Sequence, residues 1–154
     1  MSMTRTFHEA KAALASGTTT VVEMTRAALR EARTLADLNI FLELFEETAL
    51  AKAAEVDAKI AAGTAGPLAG AIISIKDNLC YTGHHVSASS HMLEGYVSPY
   101  SGTVVERILA ADAVILGRTN CDEFAMGSSN ENSAFGAVGN PAKPAMVPGG
   151  SSGG

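Results

Sequence analysis

Apolar positions recur at helical spacing through the first third of the chain and in short unbroken runs after it. Phe7 to Ser16 is alanine-rich and stops at Gly17, the residue type that most readily ends a helix. Thr20 and Glu23 have the spacing of a capping box, in which each side chain bonds the other's backbone N–H. From Val21 to about Leu35 the residues Val22, Thr25, Ala28, Leu29 and Ala32 share one helical face. Asn39 to Leu44 is short and apolar, compatible with a strand or with the lead-in to a helix. Glu46 to Ala62 is again alanine-rich and ends at Gly63, which predicts a further helix.

The pattern changes at Gly66-Pro67. Leu68 to Ile75 is an apolar run whose length and β-branching predict a buried strand. Thr103 to Ala111 fits a helix with Val104, Ile108 and Ala111 on its inner face. Ala113 to Leu116, closed by Gly117, reads as a second buried strand. Strand, helix, strand in that order predicts a crossover and a parallel pair. From Ser128 onward Gly, Ser, Asn and Pro accumulate in a stretch too long to be idle in a compact domain. The chain divides into a helical region, 1–66, and an α/β region, 67–154. No internal repeat is visible.

Composition narrows the class. Of 154 residues 47% are apolar and 18% charged, enough to build a core and too apolar for a disordered chain. No apolar run approaches the ~18 residues of a membrane span. The first residues, Met1 to Lys11, lack the apolar block of a secretory signal. Eleven Lys and Arg against sixteen Asp and Glu give a net charge of −5, with no basic run to grip nucleic acid. Cys80 and Cys121 form no CxxC pair and suggest neither a disulfide framework nor a zinc site, so the expectation is a reducing, cytoplasmic setting.

Few residues stand out for chemistry. Lys76 follows the first apolar run at its carboxyl end, where parallel sheets place their ligand crevice. A lysine that loses hydration favours its neutral amine and can serve as a base; a strand-end lysine can equally reach into water, with Asp77 a surface charge beside it. Gly149 to Gly154 reads Gly-Gly-Ser-Ser-Gly-Gly. Such a block lets a backbone approach a ligand closely, or it is a flexible linker. No Gly-Lys-Ser or Gly-Lys-Thr is present, so there is no Walker-type loop. Asp122, Glu123 and Glu131 could act as metal or acid–base carboxylates, or Asp122-Glu123 could open a helix. His84, His85 and His91 match no common zinc spacing, and no metal site is expected. Phe124, Met126 and Phe135 read as packing residues.

Together these stretches resemble the amidase signature family. The resemblance rests on Gly70 to Asn78, on Gly117 to Gly136 and on Val147 to Gly154, in that order. The middle stretch is similar to the A subunits of the glutamyl-tRNA(Gln)/aspartyl-tRNA(Asn) amidotransferases within the family. Motifs in register argue against a linker at the C-terminal end. The resemblance implies an α/β fold, in which N-terminal helices precede the start of a mixed, largely parallel sheet with helices on both faces. It also implies a Ser–cis-Ser–Lys triad. Lys76 is then the base and Ser151 the bridging serine behind a cis peptide bond, which Gly149 and Gly150 make sterically possible. The nucleophilic serine is expected about two dozen residues beyond Ser151, so the chain is expected to be a fragment and inactive alone. Ser128, Gly149, Gly150 and Ser152 are expected to border the substrate.

The same resemblance implies the function. A complete protein of this type would hydrolyse glutamine through an acyl-enzyme and pass ammonia to a partner B subunit. That partner would use ATP and Mg and contact most of the tRNA, and a small C subunit would complete a heterotrimeric ligase. No cofactor is expected in this chain. The alternatives are a stand-alone amidase acting on a small amide, or a non-catalytic scaffold.

Overall fold

A computed structural model describes residues 6–154. In chain order the elements are α1 (Phe7–Ala15), α2 (Val21–Thr34), β1 (Phe41–Leu44), α3 (Glu46–Ala61), β2 (Ile72–Lys76), α4 (Thr103–Ala110) and β3 (Val114–Thr119). Short 3-10 turns occupy Ala36–Leu38, His91–Leu93 and Glu123–Ala125. The signal-sequence reading falls partly on residues 1–5, which lie outside the described residues.

Local chemistry accounts for the helix ends. Both halves of the Thr20–Glu23 capping box form, with Glu23 N–H donating to Thr20 Oγ1 at 3.1 Å and Thr20 N–H to Glu23 Oε2 at 3.2 Å. Thr6 and Glu9 make the same box at the start of α1. The remaining N–H groups of the first turn of α2 are met from α3, since Asp57 accepts from Val21 at 2.7 Å and Val22 at 3.1 Å. Gly17 and Gly63 both take positive φ just past α1 and α3.

The sheet has the order β1-β3-β2, with β2 parallel and β1 antiparallel to β3. It is therefore mixed, and β3 is its centre. Alternation along β3 sends Val114 into one core with Val21, Ala49, Ala53 and Val56 of α2 and α3. Ile115 points the other way, into a core with Phe45, Ile75 and Val105 of α4. Helices thus cover both faces, which is why β3 reads as an unbroken apolar run. Gly117 lets β1 lie close: a Cβ there would run into the Glu43 carbonyl.

The structure departs from the sequence reading at element edges. The first strand begins at Ile72 rather than Leu68, because residues 68–71 form a turn in which Ala71 N–H returns to the Leu68 carbonyl and Gly70 takes φ +90°. The second strand does not stop at Gly117 but runs on through Arg118 to Thr119, since β1 and β2 both pair with that extension. Asn39 to Leu44 resolves into a left-handed Asn39 followed by β1. In α4 the inner face is Val105, Ile108 and Leu109, and Val104 is left exposed.

Behind α3, buried Asp112 accepts from Lys59 Nζ at 2.7 Å, Lys52 Nζ at 3.2 Å and Gly66 N–H at 2.7 Å. Burial opposes its ionisation, but the bonds from Lys59, Gly66 and Lys52 outweigh burial and hold its pKa down to about 2. Beside β2, α1 and α2 border an apolar groove of about 860 Å³, lined by Phe7, Met24, Ile72 and Ile73 among others. No helix among the described residues is long and apolar enough to cross a membrane.

Candidate active site

Lys76 is the last residue of β2, held in register opposite Thr119 of β3. The chain past Thr119 continues as Asn120, Cys121 and Asp122, all fully buried. The C-terminal stretch runs antiparallel to this extension. Asp122 N–H donates to the Ser151 carbonyl at 2.9 Å, Cys121 and Ser152 form an antiparallel bridge, and Gly154 N–H donates to the Asn120 carbonyl at 3.1 Å. The glycine–serine block is thus docked, not a free linker. This docking brings Lys76 Nζ to 2.6 Å from Ser151 Oγ. The Gly150–Ser151 peptide bond is cis.

The surroundings leave Lys76 free for that contact. Its neighbour Asp77 is buried, not the surface charge that one reading offered, and it faces elsewhere. Its carboxylate accepts from Arg118 Nη1, from Ser87 N–H at 3.1 Å and hydroxyl, and from Ser89 N–H at 2.7 Å. Among the described residues no carboxylate forms an ion pair with Lys76. An ammonium at Lys76 donates to Ser151 Oγ; a neutral amine at the same separation accepts the hydroxyl proton.

The other expected site residues gather nearby. Gly149 takes φ +99°, a conformation that a side chain disfavours, and borders open space. Gly150 is packed so closely that a Cβ would strike Asp122 Oδ2 and the main chain of Ser128 and Ser129. Ser128 is exposed, and its backbone lies against Gly150. Ser152 is exposed and contributes its bridge to Cys121.

Sequence reasoning missed the polar frame beneath this site. Ser89, fully buried, accepts from Cys121 N–H at 3.0 Å and donates to Asn120 Oδ1 at 3.2 Å. Asn120 Nδ2 holds the Gly136 carbonyl at 2.9 Å. Asp122 does not open a helix with its side chain. It accepts from Asn130 N–H at 3.1 Å and Asn132 N–H at 3.2 Å, shaping the loop that carries Ser128. Asn120 and Asp122 were signalled only as polar residues just past a strand, and Ser89, in the loop after β2, by nothing local. Burial pushes the Cys121 thiol up, although Ser89 and Lys76 pull the other way, so it remains a poor nucleophile.

Three further expectations need revision or placement. Phe124 and Met126 are exposed, so they are not packing residues; Phe135 meets the His91 ring edge-on. His84 stacks on Phe45 and Tyr81, His85 pairs with Glu43 and His91 with Glu94. Among the described residues no group of His, Cys, Asp and Glu could hold a metal ion. Glu123 accepts from the Ser90 hydroxyl at 2.6 Å, away from the Lys76–Ser151 pair.

The chain is 55% identical over 144 residues to the A subunit of glutamyl-tRNA(Gln) amidotransferase from Bordetella petrii, covering 94% of this chain and 28% of the relative. It is 48% identical over 149 residues to the corresponding protein of Chlorobium phaeobacteroides, covering 96% of this chain and 31% of the relative. The chain thus spans under a third of the length of these relatives. Among solved structures it superposes on native peptide amidase from Stenotrophomonas maltophilia with a TM-score of 0.87 at 31% identity, covering 97% of this chain and 32% of that one. The glutamyl-tRNA(Gln) amidotransferase A subunit from Thermotoga maritima matches at 46% identity and a TM-score of 0.53, over 55% of this chain and 19% of that one. The family model described as Amidase matches residues 23–154, and the chain belongs to the amidase family.

Proposed function

We propose that this chain is part of a glutamine amidase, the ammonia-supplying A subunit of an aminoacyl-tRNA amidotransferase. The observation that carries the reading is the 2.6 Å separation of Lys76 Nζ and Ser151 Oγ. Identity of 55% to the Bordetella petrii amidotransferase protein supports glutamine as the substrate.

In the proposed reaction a serine hydroxyl attacks the carboxamide carbon of glutamine. A serine hydroxyl is a weak nucleophile and needs a base. Its proton passes to Ser151 as Ser151 gives its own to the neutral Lys76 amine, a relay analogous to that of histidine in the better-known triad. The resulting ammonium returns the proton to the leaving ammonia. Water, deprotonated by the same route, then cleaves the acyl-enzyme to glutamate. In this reading the attacking serine lies about two dozen residues past Ser151, and residues 1–154 contribute the base and the relay. Ser128, Gly149, Gly150 and Ser152 border the amide being cut.

Ammonia would then pass to a B subunit that activates misacylated Glu-tRNA(Gln) or Asp-tRNA(Asn) with ATP and Mg, with a small C subunit completing a cytoplasmic heterotrimer. The net charge of −5 suits a protein that leaves most tRNA contact to its partner. A stand-alone amidase is the second reading, favoured by the TM-score of 0.87 to a peptide amidase, but that likeness comes with only 31% identity. Ammonia release by the full-length protein carrying this chain tests the reading. Glutamine is expected to be hydrolysed in preference to peptide amides, and the reverse preference would replace the first reading by the second.

A further inference from the structure

We infer that Asp122 is the positioning residue that sets Ser151 against Lys76 and ties that setting to the loop carrying Ser128. The inference rests on the Lys76–Ser151 reading above. Asp122 is fully buried, yet no cation forms an ion pair with it among the described residues. Its carboxylate is met by main-chain N–H groups, Oδ2 by Asn130 at 3.1 Å and Oδ1 by Asn132 at 3.2 Å. Its own N–H donates to the Ser151 carbonyl at 2.9 Å.

Two glycines show how closely it is enclosed. A Cβ on Gly150 would strike Asp122 Oδ2, and a Cβ on Gly127 would strike its Cγ and Oδ2. One residue therefore touches both ends of the loop 127–132, the glycine before the relay serine, and the relay serine's own carbonyl. The short 3-10 turn that follows makes no use of the side chain as a cap. A buried carboxylate is tolerated only where donors meet it, so displacing the loop uncovers a charge and displaces Gly150 with it. Asp122 does not touch the reacting atoms; it acts through Ser151.

The test uses the full-length enzyme and ammonia release from glutamine. Asp122→Asn keeps the size but turns an NH2 toward an N–H that had an acceptor. We expect kcat to fall about tenfold or more while KM moves by less than about threefold. In a Ser151→Ala background the same substitution should cost less than about twofold, because its effect runs through the relay. Full additivity in the two backgrounds, or a raised KM with kcat retained, overturns the inference. Gly127→Ala presses on the carboxylate without changing its chemistry. It should reproduce both the kcat loss and the non-additivity, and it decides the question if Asp122→Asn does not fold. Turnover that survives Lys76→Ala overturns the Lys–Ser reading itself; a dead Lys76→Ala with additive Asp122→Asn overturns only the role of Asp122.

Discussion

Lys76 and Ser151 stand 75 positions apart in the chain and 2.6 Å apart in space, from Nζ to Oγ. Both are referred to one piece of backbone. Lys76 is fixed by parallel register with Thr119, and Ser151 by the bond from Asp122 N–H to its carbonyl. Residues 119–122 therefore act as the common ruler, and a site built on a strand and its rigid extension holds tighter geometry than one built on two loops.

Replacing Lys76 by alanine should abolish glutamine hydrolysis in the full-length protein, a loss of at least ~1,000-fold, because members of a triad act as a unit. The fold should survive. Lys76 is only half-buried and forms no ion pair among the described residues, so its removal leaves no buried charge. Steady-state ammonia release and a thermal melt check both parts. Near-normal hydrolysis by Lys76→Ala would remove Lys76 from the mechanism.

The two adjacent serines should behave differently. Ser151 Oγ bonds Lys76, whereas Ser152 serves the site through a backbone bridge to Cys121 that alanine retains. Ser151→Ala should cost at least ~100-fold in kcat, the scale of losing general acid–base transfer, and Ser152→Ala clearly less. A reversed order would shift the relay by one residue.

Lys76 and Ser151 were easier to pick out of the sequence than the frame that holds them together. Alanine-rich stretches closed by glycine, helical periodicity, the Thr20–Glu23 box and the unbroken apolar runs yielded α1 to α4 and both parallel strands, because helix ends and burial leave local marks. Edges were harder. Gly117 looked like a strand end, yet it is where β1 crosses closest, and a glycine that ends a strand and one that admits a neighbour read alike. Val104 and Val105 are equivalent in composition, and only packing on Ile115 decides which is inside. Asp77, Ser89, Asn120 and Asp122 were illegible for a different reason. Their partners, main-chain N–H and carbonyl groups together with side chains such as Arg118 on Asp77, are brought near by tertiary folding, and no local pattern encodes those.

Asp112 should make stability acid-sensitive in a defined window. Hydrogen bonds from Lys59, Gly66 and Lys52 hold its folded pKa at about 2, below the ~4 of an unfolded aspartate. A depressed folded pKa contributes stability that is present above about pH 4 and lost as pH falls from there through about 2. Asp112→Asn suits the left-handed backbone at this position, φ +68°, so the comparison isolates the charge. The variant should melt below the parent at pH 7, with the gap closing toward pH 2. Parallel curves across that range would show that Asp112 is not the titrating group.

Expressed alone, residues 1–154 should neither turn over glutamine nor remain monodisperse. The catalytic half of this expectation follows from the proposed triad, which assigns the attack to a serine outside residues 1–154. The physical half follows from the surface. Among the described residues β2 is paired only with β3, so its other edge is free, and beside it lies the apolar groove of about 860 Å³ lined by Phe7, Met24, Ile72 and Ile73. Met92, Tyr100 and Val104 add exposed apolar area elsewhere. An unpaired strand edge next to an apolar face is a template for self-association. Size-exclusion chromatography should show oligomers, and an environment-sensitive dye should bind before any heating. A cooperatively melting monomer that excludes the dye would mean that α1 and α2 close over the groove in solution. Ammonia release above a Lys76→Ala control would mean that a serine within these residues, such as Ser128 or Ser152, performs the attack.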